Sequence, residues 1–189
     1  MHTAAVLAVF LPLAAAQPAG TENLDAVIAA EVKQIRTWAQ DATLVDAVSK
    51  QNALKIPLAR IRSIDISWQT ETANNPRMQA LLKNPCAKRL QALTASRPGY
   101  REAFVMESQG ALVCITRKTS DYWQGDEAKW QKSFAEGRGE LFIAEPELDE
   151  STGVKLIHIS VPIMEAGKAI GVLTLGIEHD LLVQRAKKP

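Results

Sequence analysis

Asp121, Tyr122, Trp123, Asp126, Glu127 and Trp130 crowd aromatic rings and carboxylates into ten positions. A small-molecule pocket needs apolar walls and a few convergent polar groups, so this cluster is the first candidate for ligand-binding residues. Thr116, just before it, and His158, on a later strand, complete the candidate set. Each residue also has a plainer reading. Trp130 and Phe134 are four apart, a helical spacing that suits a core as well as a pocket. Asp126 is placed to cap the helix that carries them. Tyr122 and Trp123 are adjacent and cannot both face one way on a helix, so at least one should line the cavity or its rim, with Tyr122 the better candidate. His158 reads either as a ligand contact or as a hydrogen-bonded core histidine, and His179 as surface. Asp149 and Glu150 lack the alternating oxygen ligands of a calcium loop and read as turn and surface residues, so no metal site is expected.

The elements that must position these groups follow from periodicity. Two apolar runs, residues 100–106 (YREAFVM) and 111–116 (ALVCIT), flank the short polar connection Glu107, Ser108, Gln109 and Gly110, which reads as a β-hairpin directly before the cluster. Residues 154–164 and 169–177 are the clearest strands, joined by another short connection containing glycine. In the first of them Ile157, Ile159, Val161 and Ile163 share one face, and Leu156, His158 and Ser160 the other. The apolar face should meet a helix, leaving the mixed face for something wetter. That helix spans residues 21–52, where Leu24, Val27, Ile28, Val32, Ile35, Trp38, Ala42 and Val45 recur every three or four positions, either as one bent helix or as two in line with Asp41 capping the restart. Pro57 opens a further helix through Leu58, Ile61, Ile64 and Trp68. Two short helical pieces (78–83 and 86–93), a short strand (141–144), a polar connection (146–153) and a terminal helix (178–188) complete an α+β order. It implies a five-stranded, mainly antiparallel sheet with helices packed on it.

Composition sets the partners. The chain of 189 residues is 47% hydrophobic and 23% charged, with 22 basic and 21 acidic residues interspersed. One domain, residues 21–189, is expected. There is no basic footprint for nucleic acid or an anionic membrane, and no run after the first twenty residues approaches the length of a membrane span. Residues 1–20 resemble a secretory signal peptide, with a short apolar run and Ala14, Ala15 and Ala16 before Gln17, although the n-region has no Lys or Arg. No cysteine follows the cleavage pattern, which argues against a lipid anchor. A periplasmic or secreted protein is therefore expected. GxSxG, HExxH, CxxC, Walker and GxGxxG patterns are all absent, and neither catalytic residues nor a cofactor are assigned.

The runs SDYWQGDEAKW and DESTG, and the closing hairpin with VPI and GVL, resemble the extracytoplasmic PAS-like sensor modules called Cache, or PDC, domains. The resemblance covers nearly all of the mature chain. It implies a long N-terminal helix behind a PAS-like sheet and a small-molecule pocket between the sheet and residues 121–130. Such modules usually sit between the membrane helices of kinases or chemoreceptors. With neither membrane helix nor output domain recognisable here, ligand occupancy would pass to a membrane receptor or kinase partner, and the helix over residues 21–52 could pair two copies. Many amino-acid-binding members carry an arginine two residues before the pocket tryptophan, whereas Ala128 stands before Trp130. Without that anion clamp, the acidic Asp121, Asp126 and Glu127 favour an amine, another organic cation or a divalent metal over a simple dicarboxylate. Two other classes stay open: an extracytoplasmic hydrolase using a carboxylate pair such as Asp126 and Asp149, and a protein-interaction module without ligand.

Cys86 and Cys114, an even pair in a chain that reads as exported, predict a disulfide worth about 3 to 4 kcal/mol on the chain-entropy view. Reduction should raise the intact mass by one hydrogen pair; an unchanged mass would reject the bridge.

Overall fold

The computed structural model describes residues 19–72, 74–95, 97–149 and 153–188, with side chains from residue 23 onward. Most of the leader read over residues 1–20 lies outside the described residues. The long helical stretch is two helices in line, α1 (Ala19–Trp38) and α2 (Ala42–Ala53). Asp41 makes the break: its backbone is extended, its carboxylate accepts from the Thr43 amide at 3.0 Å, and its second oxygen takes Arg89 Nε at 2.7 Å. An N-cap of this kind satisfies one of the amides a helix start leaves open. α3 (Leu58–Trp68) follows Pro57, then α4 (Pro76–Lys83) and α5 (Pro85–Ala95).

The sheet is antiparallel throughout. β1 (Tyr100–Glu107) pairs with β2 (Leu112–Ile115) on one side and with β6 (Lys168–Glu178) on the other, and β6 pairs with β5 (Val154–Glu165). The outer edge of β5 is shared by two short strands, β3 (Phe142–Ile143) and β4 (Glu147–Asp149). Five strand positions are thus filled by six strands, and residues 146–153, read from sequence as connection alone, contain β4. The ladder partners Leu148 with Lys155 and leaves Leu148 64% exposed, so an alternating signal was too short to see. α6 (Ala128–Phe134) lies between β2 and β3, and α7 (His179–Ala186) closes the chain. Glu127, not Asp126, occupies the cap position of α6, and its side chain makes no capping bond.

Both faces of the sheet are covered. Ile157, Ile159, Val161 and Ile163 pack with Val32, Ile35 and Trp38 of α1, as the alternation of β5 requires. On the opposite face Phe104 and Met106 of β1 pack with Ile61 and Trp68 of α3 and Met78 of α4. β1 is therefore buried on both sides from Ala103 to Glu107. The Cys86–Cys114 disulfide fastens α5 to β2.

Two buried carboxylates organise the ends of this scaffold. Glu31 on α1, 5% exposed, accepts from Arg185 of α7 at 2.8 Å, from Arg97 at 3.3 Å and from the Tyr100 hydroxyl. Burial, and then the Glu31 carboxylate, raise the Tyr100 pKa well above the ordinary phenol value, so the hydroxyl remains a donor. Glu107, 3% exposed, folds back over its own hairpin and accepts the amides of Gln109 at 2.9 Å and Ala111 at 3.0 Å. Burial raises its pKa above 4.5, opposed by those backbone bonds.

Glu31→Ala should cost about 2 to 3 kcal/mol in urea denaturation, at or just below the lower end of the range for a broken buried pair, because both arginines are about one-third exposed. Glu107 binds its proton more tightly in the folded chain than in the unfolded one. Its contribution is therefore complete below pH 4.5 and is lost as pH rises through the raised value. Glu107→Gln keeps an oxygen for both amides and never ionises. Denaturation at stepped pH should show a flatter stability profile above pH 4.5 for this variant, with stability at neutral pH equal to or above that of the native chain.

Candidate functional site

The mixed face predicted for β5 opens into a cavity of about 450 Å³. Its floor is the sheet, through Glu102 and Phe104 of β1 and Leu156 and His158 of β5; its walls are residues 117–120 with Gln124, β4, and Lys129 from the first turn of α6. Three basic side chains, Arg117, Lys118 and Lys129, and three carboxylates, Glu102, Glu147 and Asp149, share the lining with His158.

The floor depends on one missing side chain. Gly176 of β6 lies in register between Glu102 on β1 and His158 on β5. Over that bare position the Glu102 carboxylate and His158 Nε2 meet at 2.7 Å, although their strands are not neighbours. A Cβ at 176 would stand 2.8 Å from Glu102 Cγ and 3.2 Å from His158 Nε2. In the next row Ser160 and Thr174 bond through their hydroxyls at 2.8 Å, so the polar groups of this face satisfy one another.

The wall is irregular backbone with its own partners. Thr119 Oγ1 and Gln124 Nε2 both donate to the carbonyl of Asp121, at 2.8 and 2.9 Å. That second bond fixes the amide's orientation and leaves Oε1 of this lining residue buried without a hydrogen-bond partner. Arg117 pairs with Asp149 of β4 at 3.5 Å, and Lys118 turns away to the carbonyls of Gln69 and Glu71 at 3.3 and 2.8 Å. Lys129 Nζ sits 5.9 Å from the Phe104 ring centre and 3.9 Å from Glu127.

Of the eight residues expected at the site, His158 is on this lining and the others are placed elsewhere. Tyr122 is buried against Trp68, with ring centres 5.7 Å apart; burial first, and the Glu107 carboxylate next, raise its pKa. Trp123 donates its indole N–H to Gln109 O at 2.7 Å beneath the Arg62 guanidinium, 4.6 Å from the ring centre. Trp130 donates to Glu107 O at 3.1 Å and stacks on Phe134. The aromatic residues thus clamp the β1–β2 turn from outside instead of walling the cavity. That clamp is possible because Gly110 and Gly125 touch, a Cβ on Gly110 falling 2.5 Å from the Gly125 backbone. Thr116 Oγ1 bonds the Ala103 amide and carbonyl at the end of the hairpin. Asp121 serves through its carbonyl, Asp126 is exposed, and Glu127 pairs with Lys129. The acidic lining that favoured an amine or a metal is therefore replaced by one of both signs, and among the described residues no group of acids, histidines or cysteines is arranged to hold a metal ion. Asp149 borders the cavity but Asp126 does not, so that carboxylate pair does not converge there.

Sequence reasoning missed Glu102, Gln124 and the basic lining. The alternation of β1 does put Glu102 on the face of Phe104; its meeting with His158 required the register across β6, which no local pattern encodes.

The described helices include none long and apolar enough to cross a membrane. No curated protein matches the chain. Solved structures that match the chain include the sensory domain of the Campylobacter jejuni chemoreceptor Tlp3 with isoleucine bound (17% identity, TM-score 0.43, covering 90% of this chain and 67% of that one). Others are the ligand-binding domain of the Pseudomonas aeruginosa amino acid chemoreceptor PctB in complex with L-Arg (16%, 0.49, 87% and 55%) and the sensor domain of the V. cholerae histidine kinase DctB (13%, 0.44, 89% and 57%). The chain thus spans between about half and two-thirds of the length of these relatives. The sequence profile of the first PDC sensor domain of methyl-accepting chemotaxis protein-like receptors matches residues 71–184, well over half of the chain, and the protein belongs to that family of PDC sensor domains.

Proposed function

We propose that this PDC domain works outside the cytoplasm, in the periplasm or as a secreted protein, and binds a small amino acid in the cavity over β1 and β5, with occupancy read by a receptor or kinase partner. Gln124 Oε1 carries the reading. A buried carbonyl oxygen without a donor costs about 1 to 3 kcal/mol, and a guest whose N–H group enters between the wall and the floor to reach it relieves that cost. An ammonium group suits this oxygen and the neighbouring carboxylates. Lys129, above the Phe104 ring, suits the carboxylate of the same guest, and Leu156 and Phe104 suit its apolar part. A guest of both charges also leaves the evenly balanced lining neutral, which a simple amine, a metal ion or a dicarboxylate would not.

A thermal-shift and calorimetry panel of L-isoleucine, L-arginine, γ-aminobutyrate, putrescine, succinate and Ca²⁺ tests this directly. At a hundred times its Kd, an amino acid should stabilise the fold by about 2.7 kcal/mol, a rise of roughly 5 to 10 °C in Tm. Gln124→Leu and Lys129→Met should each weaken binding at least about tenfold. Binding of putrescine or Ca²⁺ with silence from every amino acid would overturn the assignment.

A further inference from the structure

We infer that Asp65, which lies outside the cavity on α3, is a positioning residue for the amino acid site: it holds the wall that presents Gln124, and thereby sets ligand affinity. The inference rests on the cavity reading above and adds a residue that touches no ligand. Asp65 Oδ1 accepts two consecutive backbone amides, Tyr122 N at 2.8 Å and Trp123 N at 2.9 Å. Two donors on one carboxylate oxygen fix the two peptide planes that meet at Tyr122, and a charged acceptor makes each bond stronger than a neutral one. Gln124 is the next residue, and its side chain is tied back to the Asp121 carbonyl, which belongs to the first of these two peptides. Both ends of the Gln124 amide's support therefore move with the peptides that Asp65 grips.

The neighbours of Asp65 along α3 act on the same segment. Residues three apart share a helix face, and here that face is Arg62, Asp65 and Trp68. Arg62 covers the Trp123 ring, and Trp68 Nε1 donates to Thr119 O at 2.9 Å. α3 thus holds residues 119–123 at three successive points, and none of its three residues lines the cavity. Asp65 is the member whose loss frees two backbone donors at once. A peptide that reorients to recover partners for them takes Gln124 Oε1 out of place, and the orientation of a recognition group decides affinity at separations well below an ångström.

The test compares Asp65→Ala, Asp65→Asn and Glu31→Ala, the last as a remote destabilising control, using isothermal titration with L-isoleucine and L-arginine well below every Tm, together with amide hydrogen exchange. In Asp65→Ala, exchange over residues 119–124 should rise about tenfold or more while β5 and β6 keep their protection, and affinity for whichever of the two amino acids binds the native chain should fall about tenfold or more. Asp65→Asn keeps a carbonyl for both amides and should stay within about threefold of the native affinity. Glu31→Ala should lose stability but no affinity. Native affinity in Asp65→Ala, unchanged exchange over residues 119–124, or an equal affinity loss in Glu31→Ala would each overturn the inference. If the native chain binds no amino acid of the thermal-shift panel, the cavity reading fails by itself, and the exchange of residues 119–124 in Asp65→Ala still decides whether Asp65 holds the wall.

Discussion

Irregular backbone laid over a sheet must find hydrogen-bond partners away from the sheet ladders, and the stretch between β2 and α6 is governed by that constraint. Its amides and carbonyls are claimed one by one: Tyr122 and Trp123 by Asp65, Thr119 O by Trp68, Gln124 N by Gly110 O, and Tyr122 O by the Leu112 amide. The indole N–H groups work in the reverse direction, satisfying the carbonyls of Gln109 and Glu107 in the hairpin turn. A loop so thoroughly paired behaves as a fixed wall, against which the unpartnered, buried Oε1 of Gln124 stands out.

The floor follows a different rule. On a sheet covered on both faces, polar side chains persist only where they pair, and the register across β6 supplies the pairs: Glu102 with His158 over Gly176, and Ser160 with Thr174. Carboxylate, imidazole, hydroxyls and an aromatic ring share one face, while on the other face Ala103, Val105, Ile157, Ile159, Val161 and Ile163 form an apolar core with α1 and α2. Alternate positions of single strands thus carry the polar pairs on one side only, although both sides contribute to a core.

Much of this scaffold was legible in the chain. The spacing of Val32, Ile35 and Trp38, the capping carboxylate of Asp41, and the alternation of Ile157, Ile159, Val161 and Ile163 each state a local rule that the fold obeys. The cysteine pair was legible for the same reason. Site residues were harder because they depend on relations that composition does not carry. A crowd of rings and acids looks the same whether it encloses a guest or clamps a turn, and the difference lies in where two indole N–H groups find their acceptors. Asp65 sat unnoticed in a helix read only for its apolar stripe. Glu102 and His158 are 56 residues apart and meet only once three strands are in register.

The two terminal helices and the cavity lie on opposite sides of one sheet. α1 and α7 share the core on the face of Ile157 and Leu175, and Glu31 rivets them together through Arg185, whereas a guest would rest against Phe104 and His158. Nothing bound there touches either helix. On the proposed sensing role, news of occupancy would have to cross the thickness of the strands, and the Glu31–Arg185 rivet would present the first and last helices to it as one lever instead of two loose handles.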